Sequence, residues 1–383
     1  MATQNKINSI NMSRVLRYIW LNRGTSRVEM CARLGLNKST VTKNVQQLLD
    51  RGMVEVLSEG APSPQGGRRP VYLGIRPGFC YVMGLEIQTE FYRAVITDAR
   101  GQIVFSRSNR LKDPEDSLQS QFRQSLEELA PFIEQYRVCG IGLGLSGIIN
   151  SREGTVLRSL PFGIQDPVPF GREAGVAAGL PVLLENDANC CCWGDLAGQK
   201  SSRHDNMLFV LSEFRDIDTR SPGIQTLAVG LGMVLGGEVH HGRDFSAGEF
   251  TSVFREKAER SQFSLDETHM AEAAEDPDVL GLVVSELSRN LSLLVNSLNI
   301  TRIVVGGALA EHRELTGSIL SRTIQDLWPY ANPVDCVVEF SPHGDNMVAY
   351  GAAGLFLERI FGLPDVEEEE IRGWDFIGEN HLI

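Results

Sequence analysis

The chain has no apolar run long enough to span a bilayer, so it is expected to stay in water. Nothing near its N-terminus has the form of a secretory signal, because Ile7 to Trp20 is interrupted by Asn11, Ser13, Arg14 and Arg17. Cysteines number only seven, three of them adjacent at Cys190, Cys191 and Cys192, and no CxxC pair occurs. A disulfide framework is thereby excluded, thiol chemistry and Cys-rich metal sites are poor readings, and a reducing cytoplasm is the expected location. A single simple core is excluded too, since 383 residues call for two or three domains.

What the chain does have is an uneven charge. Residues 1–75 hold eleven Lys and Arg against four acids, so this stretch carries +7 while the whole chain carries −13. A basic front on an acidic body is the footprint of a small nucleic-acid-binding module attached to a domain with no use for phosphates. Within that front, Ser9–Leu21 reads as a first helix with Ile10, Val15, Leu16, Ile19 and Trp20 along one stripe. Thr25–Asp50 then reads as helix, turn, helix. Ser26 and Glu29 have the spacing of a capping box, Val28, Ala32 and Leu34 are expected to face inward, and Gly35 ends the helix. Asn37 caps the next helix, on which Val41, Val45, Leu48 and Leu49 recur at helical spacing. Lys38, Ser39, Thr40, Thr42, Lys43 and Gln46 are left on the opposite face, as a helix entering a DNA major groove requires. Short strands over 53–60 and 71–75 make the two-stranded wing of a winged helix-turn-helix. Between them Gly66, Gly67, Arg68, Arg69 and Pro70 form a basic finger suited to a narrow minor groove.

From Phe79 onward strands alternate with helices, which predicts parallel sheets covered on both faces and enough chain for two lobes. Strands are expected at 80–87, 91–99, 101–108, 206–213, 225–230 and 232–239. Long helices are expected over 117–136, 277–298 and 347–360. A glycine-rich turn containing Gly147 follows the strand VCGIGLGL, and the strand PVLLEN delivers Asn186 and Asp187 to a helix start. That pair stands at a strand-to-helix junction and reads from its place alone as a helix cap. The acidic tail from Val366 is expected to pack through Trp374 and Phe376. The expected division is a DNA-binding domain at 1–75, a first lobe at 76–200 and a second at 201–383.

In order, the segments VMGLEIQTEFYRAVITDARGQI, GIGLGLSGIINSREGTV, LLENDAN, VGLGMVLGGEVHHGRDFSAGE and IVVGGALA resemble the ROK family of repressors, open reading frames and sugar kinases. With GGRRP behind the winged helix, the likeness is to its repressor branch, which includes xylose and N-acetylglucosamine repressors. The resemblance implies an α/β architecture: a winged helix-turn-helix followed by a two-lobed actin-like, ribonuclease-H-like ATPase fold with a sugar cleft. It also implies ligand contacts at Gly147, Asn186, Asp187 and Glu249, with Asp187 at the position of the kinases' general base. Two departures speak against kinase chemistry. Glu86, Ile87, Gln88, Thr89 and Glu90 replace the family's Asp-x-Gly-Gly-Thr phosphate loop, and Thr226-Leu227-Ala228 replaces Gly-Thr-Gly. The family's zinc run is missing, as Thr251-Ser252 and REKAERSQFSLDE stand in its place. No metal or other cofactor is therefore expected, and the pair His240 and His241 reads as a solvated loop. The expectation is a non-enzymatic regulator that binds an inverted-repeat operator as a homodimer or homotetramer, answering to a sugar or sugar phosphate, with coupling through a hinge near Pro77. A sugar kinase, or a regulator controlled by a protein partner with a vestigial cleft, is the alternative.

Overall fold

A computed structural model describes residues 2–60, 69–112, 116–198, 206–216, 225–256 and 261–363. The front of the chain runs α1 (Ala2–Leu21), β1 (Thr25–Ser26), α2 (Arg27–Leu34), α3 (Lys38–Asp50), β2 (Val54–Glu59) and β3 (Val71–Ile75). Ser26 and Glu29 complete their capping box, with Glu29 accepting from the Ser26 amide at 2.8 Å and Ser26 Oγ accepting from the Glu29 amide at 3.3 Å. Gly35 ends α2 in the left-handed conformation, and Asn37 Oδ1 accepts from the Thr40 amide at 2.8 Å. Val41, Val45 and Leu48 are fully buried beneath α3. The inward face of α2 is not the expected one, because Val28 is 71% exposed and Ala32 also faces water. Met30 fills the core instead, with Cys31 beside it and Leu34 packed inward as expected. The wing is a three-stranded antiparallel sheet in the order β1-β3-β2.

The body continues through β4 (Tyr81–Ile87), β5 (Phe91–Asp98), β6 (Ile103–Arg110), α4 (Leu118–Tyr136), β7 (Val138–Leu145), β8 (Ile148–Asn150), β9 (Thr155–Arg158), α5 (Phe170–Ala178), β10 (Val182–Asn186) and α6 (Asp187–Gly198). It then runs through β11 (Met207–Asp216), β12 (Gln225–Leu235), β13 (Glu238–Val239), α7 (Glu267–Glu272), α8 (Pro277–Leu298), β14 (Arg302–Gly307), α9 (Ala308–Glu311), α10 (Arg313–Asp326), β15 (Val337–Phe340) and α11 (Met347–Phe361). Two five-stranded sheets result, β10-β7-β4-β5-β6 in the first lobe and β13-β12-β11-β14-β15 in the second. They follow the same plan: a meander of three antiparallel strands whose first strand also pairs, in parallel, with a fourth strand, which in turn pairs in parallel with a fifth. The sheets are thus mixed rather than parallel, because the first three strands of each lobe have no intervening helix and a short turn can only reverse the chain. The stretch expected as two strands at 225–230 and 232–239 is one unbroken strand, β12, paired with β11 from Asp216↔Gln225 to Met207↔Val234. The turn comes later, at Gly236-Gly237.

α11 lies on β4, β5 and β7, and packs along α6. Its far end enters the core of the winged helix: Met12, Val15, Leu16, Ile19 and Trp20 share one buried cluster with Ala353, Phe356, Ile360 and Phe361. Trp20 stacks on Phe361 with ring centroids 5.0 Å apart, and its indole nitrogen donates to the Ala99 carbonyl at 3.2 Å. Arg17 pairs with Glu358 at 2.8 Å, and Arg100 donates to Glu55 at 2.6 Å and to the Ile75 carbonyl at 2.8 Å. The hinge expected near Pro77 is therefore not free: Pro77–Phe79 is a single 3-10 turn, its first carbonyl takes the Ala99 amide, and Phe79 and Cys80 are buried. The basic finger through Arg68 and the tail with Trp374 and Phe376 fall outside the described residues.

Candidate functional site

The front module presents one polar helix face. Lys38, Ser39, Thr42, Lys43 and Gln46 are exposed on α3, and Thr40 is half-buried with its amide taken up by the Asn37 cap. Ser39 Oγ also donates to Asn37 at 2.8 Å, Thr42 Oγ1 donates back to the Lys38 carbonyl at 2.7 Å, and Gln46 donates to Asp50 at 2.8 Å. Lys38 and Lys43 thus supply the positive charge of this face, one turn apart near the helix start. Arg69 is exposed beside the wing; Arg68 lies outside the described residues. Not every basic residue of the front faces outward. Arg14 donates to the Leu34 carbonyl at 2.7 Å at the end of α2, and Arg17 is spent on Glu358.

The second candidate lies between the lobes, where a cleft of about 1150 Å³ opens over the ends of β4, β7, β10 and β11. Gly147, Asn186, Asp187 and Glu249, taken from three separate segments, all line it. Gly147 has φ +131°, and a Cβ there would sit 2.3 Å from the Arg158 carbonyl oxygen, so the turn itself demands glycine. Asn186 donates to the Gly147 carbonyl at 3.0 Å and accepts from the Asn189 amide at 3.1 Å, which makes it the cap of α6. Asp187 is buried at the first turn of that helix and accepts from the Ala188 amide at 2.8 Å. Burial raises its carboxyl above the usual range, and the Arg215 guanidinium opposes the rise. Glu249, at the cleft surface, is raised by loss of water and by the charge of Asp187.

Apart from Glu86, which stands in the replaced phosphate loop, sequence reading missed the charges that surround this carboxylate. Glu86 ends up buried near the floor, raised from its ordinary 4.5 to about 7 by burial, with Arg93 opposing and Glu213 adding to the shift. Arg93 approaches it at 3.4 Å and also lies over the Phe91 ring, 4.1 Å from its centroid. From the second lobe, Arg215 pairs with Glu213 at 2.7 Å, reaches Asp187 at 3.7 Å and donates to Ser146 Oγ at 3.1 Å. Thr226, Leu227 and Ala228 pair with Arg215, Phe214 and Glu213 in a regular ladder, so their backbone amides do not form an open phosphate turn. His241 is no solvated loop residue: its Nε2 lies 2.8 Å from the buried Glu185 and 3.4 Å from Ser151 Oγ, while His240 is exposed. Glu185 also accepts from Trp193 at 3.1 Å and from Asn189 at 3.3 Å. No group of metal-binding side chains forms among the described residues.

Three carboxylates crowded at the phosphate side cannot all stay ionised, since like charges a few Å apart in a poorly solvated site repel one another. The same crowding gives a stability test. In the unfolded chain Glu86 ionises near 4.5, whereas in the fold it holds its proton to about 7. The fold therefore loses stability as pH rises between these values and stays at the lower level above them. Glu86→Gln is expected to stabilise the protein by up to about 3 kcal/mol at alkaline pH and to flatten this dependence in melts run across that range. An unchanged pH profile would count against it.

Two family profiles match parts of the chain. The ROK family profile matches residues 82–256, and a winged helix-turn-helix DNA-binding profile matches residues 10–55. A putative xylose repressor of Caldicellulosiruptor sp. (strain Rt8B.4) is 30% identical over 257 residues, covering 63% of this chain and 58% of that protein. The chain thus spans under two thirds of this relative's length. Among solved structures, a ROK family transcriptional regulator, a homolog of the E. coli MLC protein, superposes with a TM-score of 0.68 at 18% identity, covering 92% of this chain and 96% of that one. A ROK family glucokinase from Streptomyces griseus, in complex with glucose and AMPPNP, reaches 0.56 at 18% identity, covering 72% and 98%. Both share the fold.

Proposed function

From a chain that carries a ROK family domain behind a winged helix-turn-helix, we propose a DNA-binding repressor of sugar-metabolism genes, controlled by a sugar held in the cleft and lacking kinase activity. The observation that carries this reading is the pairing of a basic, polar recognition face on α3 with a cleft whose phosphate side is lined by Glu90, Glu213 and Arg215, with Glu86 buried close by. Asp187 and Glu249 are the acceptors for sugar hydroxyls, with Asn186 and Gly147 shaping the wall behind them. Phe91, Phe214 and Phe245 line the same space and offer apolar surfaces to the ring. The excess of carboxylates favours an uncharged sugar over a phosphorylated one. A symmetric dimer would read an inverted repeat whose half-sites lie about 34–36 Å apart. The protein works in the cytoplasm, where DNA and the sugar meet; no helix among the described residues is long and apolar enough to cross a membrane.

The reading is tested by operator affinity with and without D-xylose or D-glucose, because an effector must bind two states unequally to switch between them. No change with a broad sugar set would sink it, and sugar-dependent ATP turnover would point back to a kinase. On the DNA side, the double substitution Lys38→Ala, Lys43→Ala removes two phosphate-facing charges. The slope of log affinity against log salt is expected to fall by about 2, with at least roughly tenfold weaker binding at low salt. Equal slopes would place the interface elsewhere. On the sugar side, Asp187→Asn keeps the shape and loses the charge; sugar affinity by calorimetry is expected to drop roughly tenfold or more, as for a lost charged hydrogen bond.

A further inference from the structure

Inside the cleft, the second lobe touches the carboxylate of the first with a cation of its own. Arg215 stands near the end of β11, where the ladder with β12 still runs on to Asp216↔Gln225. Its guanidinium crosses to the first lobe, donating to Ser146 Oγ at 3.1 Å and lying 3.7 Å from Asp187, while Glu213 at 2.7 Å steadies it from the same strand. A second crossing lies close by, since His241 meets Glu185 one residue before Asn186. Asp187 is otherwise in hostile company. It is faced by Glu86 from β4, Glu213 from β11, Glu249 from the loop after β13, and the buried thiols of Cys190 and Cys191 on its own helix. Of these neighbours only Arg215 favours the ionised form by its charge.

We propose that Arg215 is a positioning residue for the effector, a built-in counter-cation that keeps Asp187 charged as a hydroxyl acceptor and ties the two lobes at the distance the sugar requires. The proposal rests on the sugar-responsive reading above. It follows that Arg215 does not compete with the sugar for Asp187 but prepares it. The guanidinium is already matched by Glu213, so it offers little to an anionic ligand. Without it, burial would raise the Asp187 carboxyl further and favour its protonated form, and a protonated carboxyl offers a hydroxyl group the pair of acceptor oxygens poorly.

The test uses the full chain, with D-xylose and D-glucose as probes and Arg215→Gln and Arg215→Lys as variants. Affinities are measured from about pH 6 to about pH 9, across the range where a buried carboxyl would titrate. Wild type is expected to show only a shallow step, within about threefold, where Glu86 loses its proton at about 7. Arg215→Gln is expected to be at least roughly tenfold weaker at the acid end and to recover as pH rises, and Arg215→Lys to restore most of the acid-end loss. A merely structural arginine would weaken binding equally at every pH, and that parallel profile, or an unaltered affinity, overturns the proposal. A ligand-free arm separates this from the functional reading: a double-mutant cycle of Arg215→Gln with Asp187→Asn on unfolding. Coupling of at least about fivefold in the unfolding constant supports the tie even if neither sugar binds, in which case the sugar reading alone fails. Strict additivity overturns it.

Discussion

Replacing Trp20 with alanine is expected to cost about 3–5 kcal/mol, the range for losing a large aromatic from a packed core. The side chain is 3% exposed, stacks on Phe361 and donates to the Ala99 carbonyl. Its removal leaves three separate losses: the apolar contact, the ring stacking and an unsatisfied carbonyl. The damage lies at the seam between the winged helix and the first lobe, so it should do more than lower the melting temperature. The winged helix keeps Met30, Val41, Val45 and Leu48 beneath α3, and so retains a small core of its own. Denaturant unfolding followed at two probes, one in each part, is expected to separate into two transitions where the wild type shows one. A loss below about 1 kcal/mol with coincident transitions would mean that the seam is held elsewhere.

A larger effect still is expected from Gly84→Ala. On β4, the added carbon would lie 1.8 Å from the Ala349 carbonyl oxygen and 2.7 Å from the Ala353 nitrogen, both backbone atoms of α11. Backbone cannot rotate away as a side chain can, so the whole helix must lift off the sheet. Gly142 on the neighbouring strand meets Ala352 in the same way, at 1.9 Å, so the helix has no free direction along the sheet. The expected cost exceeds about 4 kcal/mol, beyond ordinary overpacking, and yields little soluble protein. Gly281→Ala on α8 is the control. Its nearest neighbour would be the Ile319 methyl at 3.8 Å, and alanine should there be neutral or stabilise by about 0.5–1 kcal/mol. Similar melting temperatures for the two variants would refute the close seating of α11.

Local chemistry was the most readable part of this chain. The capping box at Ser26 and Glu29, the Asn37 cap and the buried triplet Val41, Val45, Leu48 depend on residues within one or two turns of each other. The strands of both lobes were readable from apolar runs, but their direction was not, because pairing depends on which connections are hairpins. Long-range meetings stayed hidden. Nothing in the spacing of Arg17 or Trp20 announces Glu358 and Phe361, some 341 residues away. That is why a hinge near Pro77 looked free when it is packed. Val28 failed for a subtler reason, since a single apolar residue on a short helix has no period to fix its phase. At the cleft, Asp187 and Glu249 were found by resemblance, whereas Arg215 and His241 sit in no motif. The register of β11 with β12 makes the one a neighbour of Asp187, and the approach of the loop after β13 to β10 gives the other Glu185. The signal that could have found Arg215 was the loss of phosphate-loop glycines, which leaves a buried acid in want of a cation.

The seating of Trp20 on Phe361 also sets a timetable for biosynthesis. The winged helix is complete by Ile75, yet the strip that covers its inner surface ends at Phe361. At about 5–20 residues per second, a ribosome takes on the order of 15 to 60 seconds to translate the intervening chain. Throughout that interval Ile19, Trp20 and their neighbours emerge without their cover, an adhesive surface on a nascent polypeptide, and a newly made molecule seals its winged helix only once Phe361 has been made.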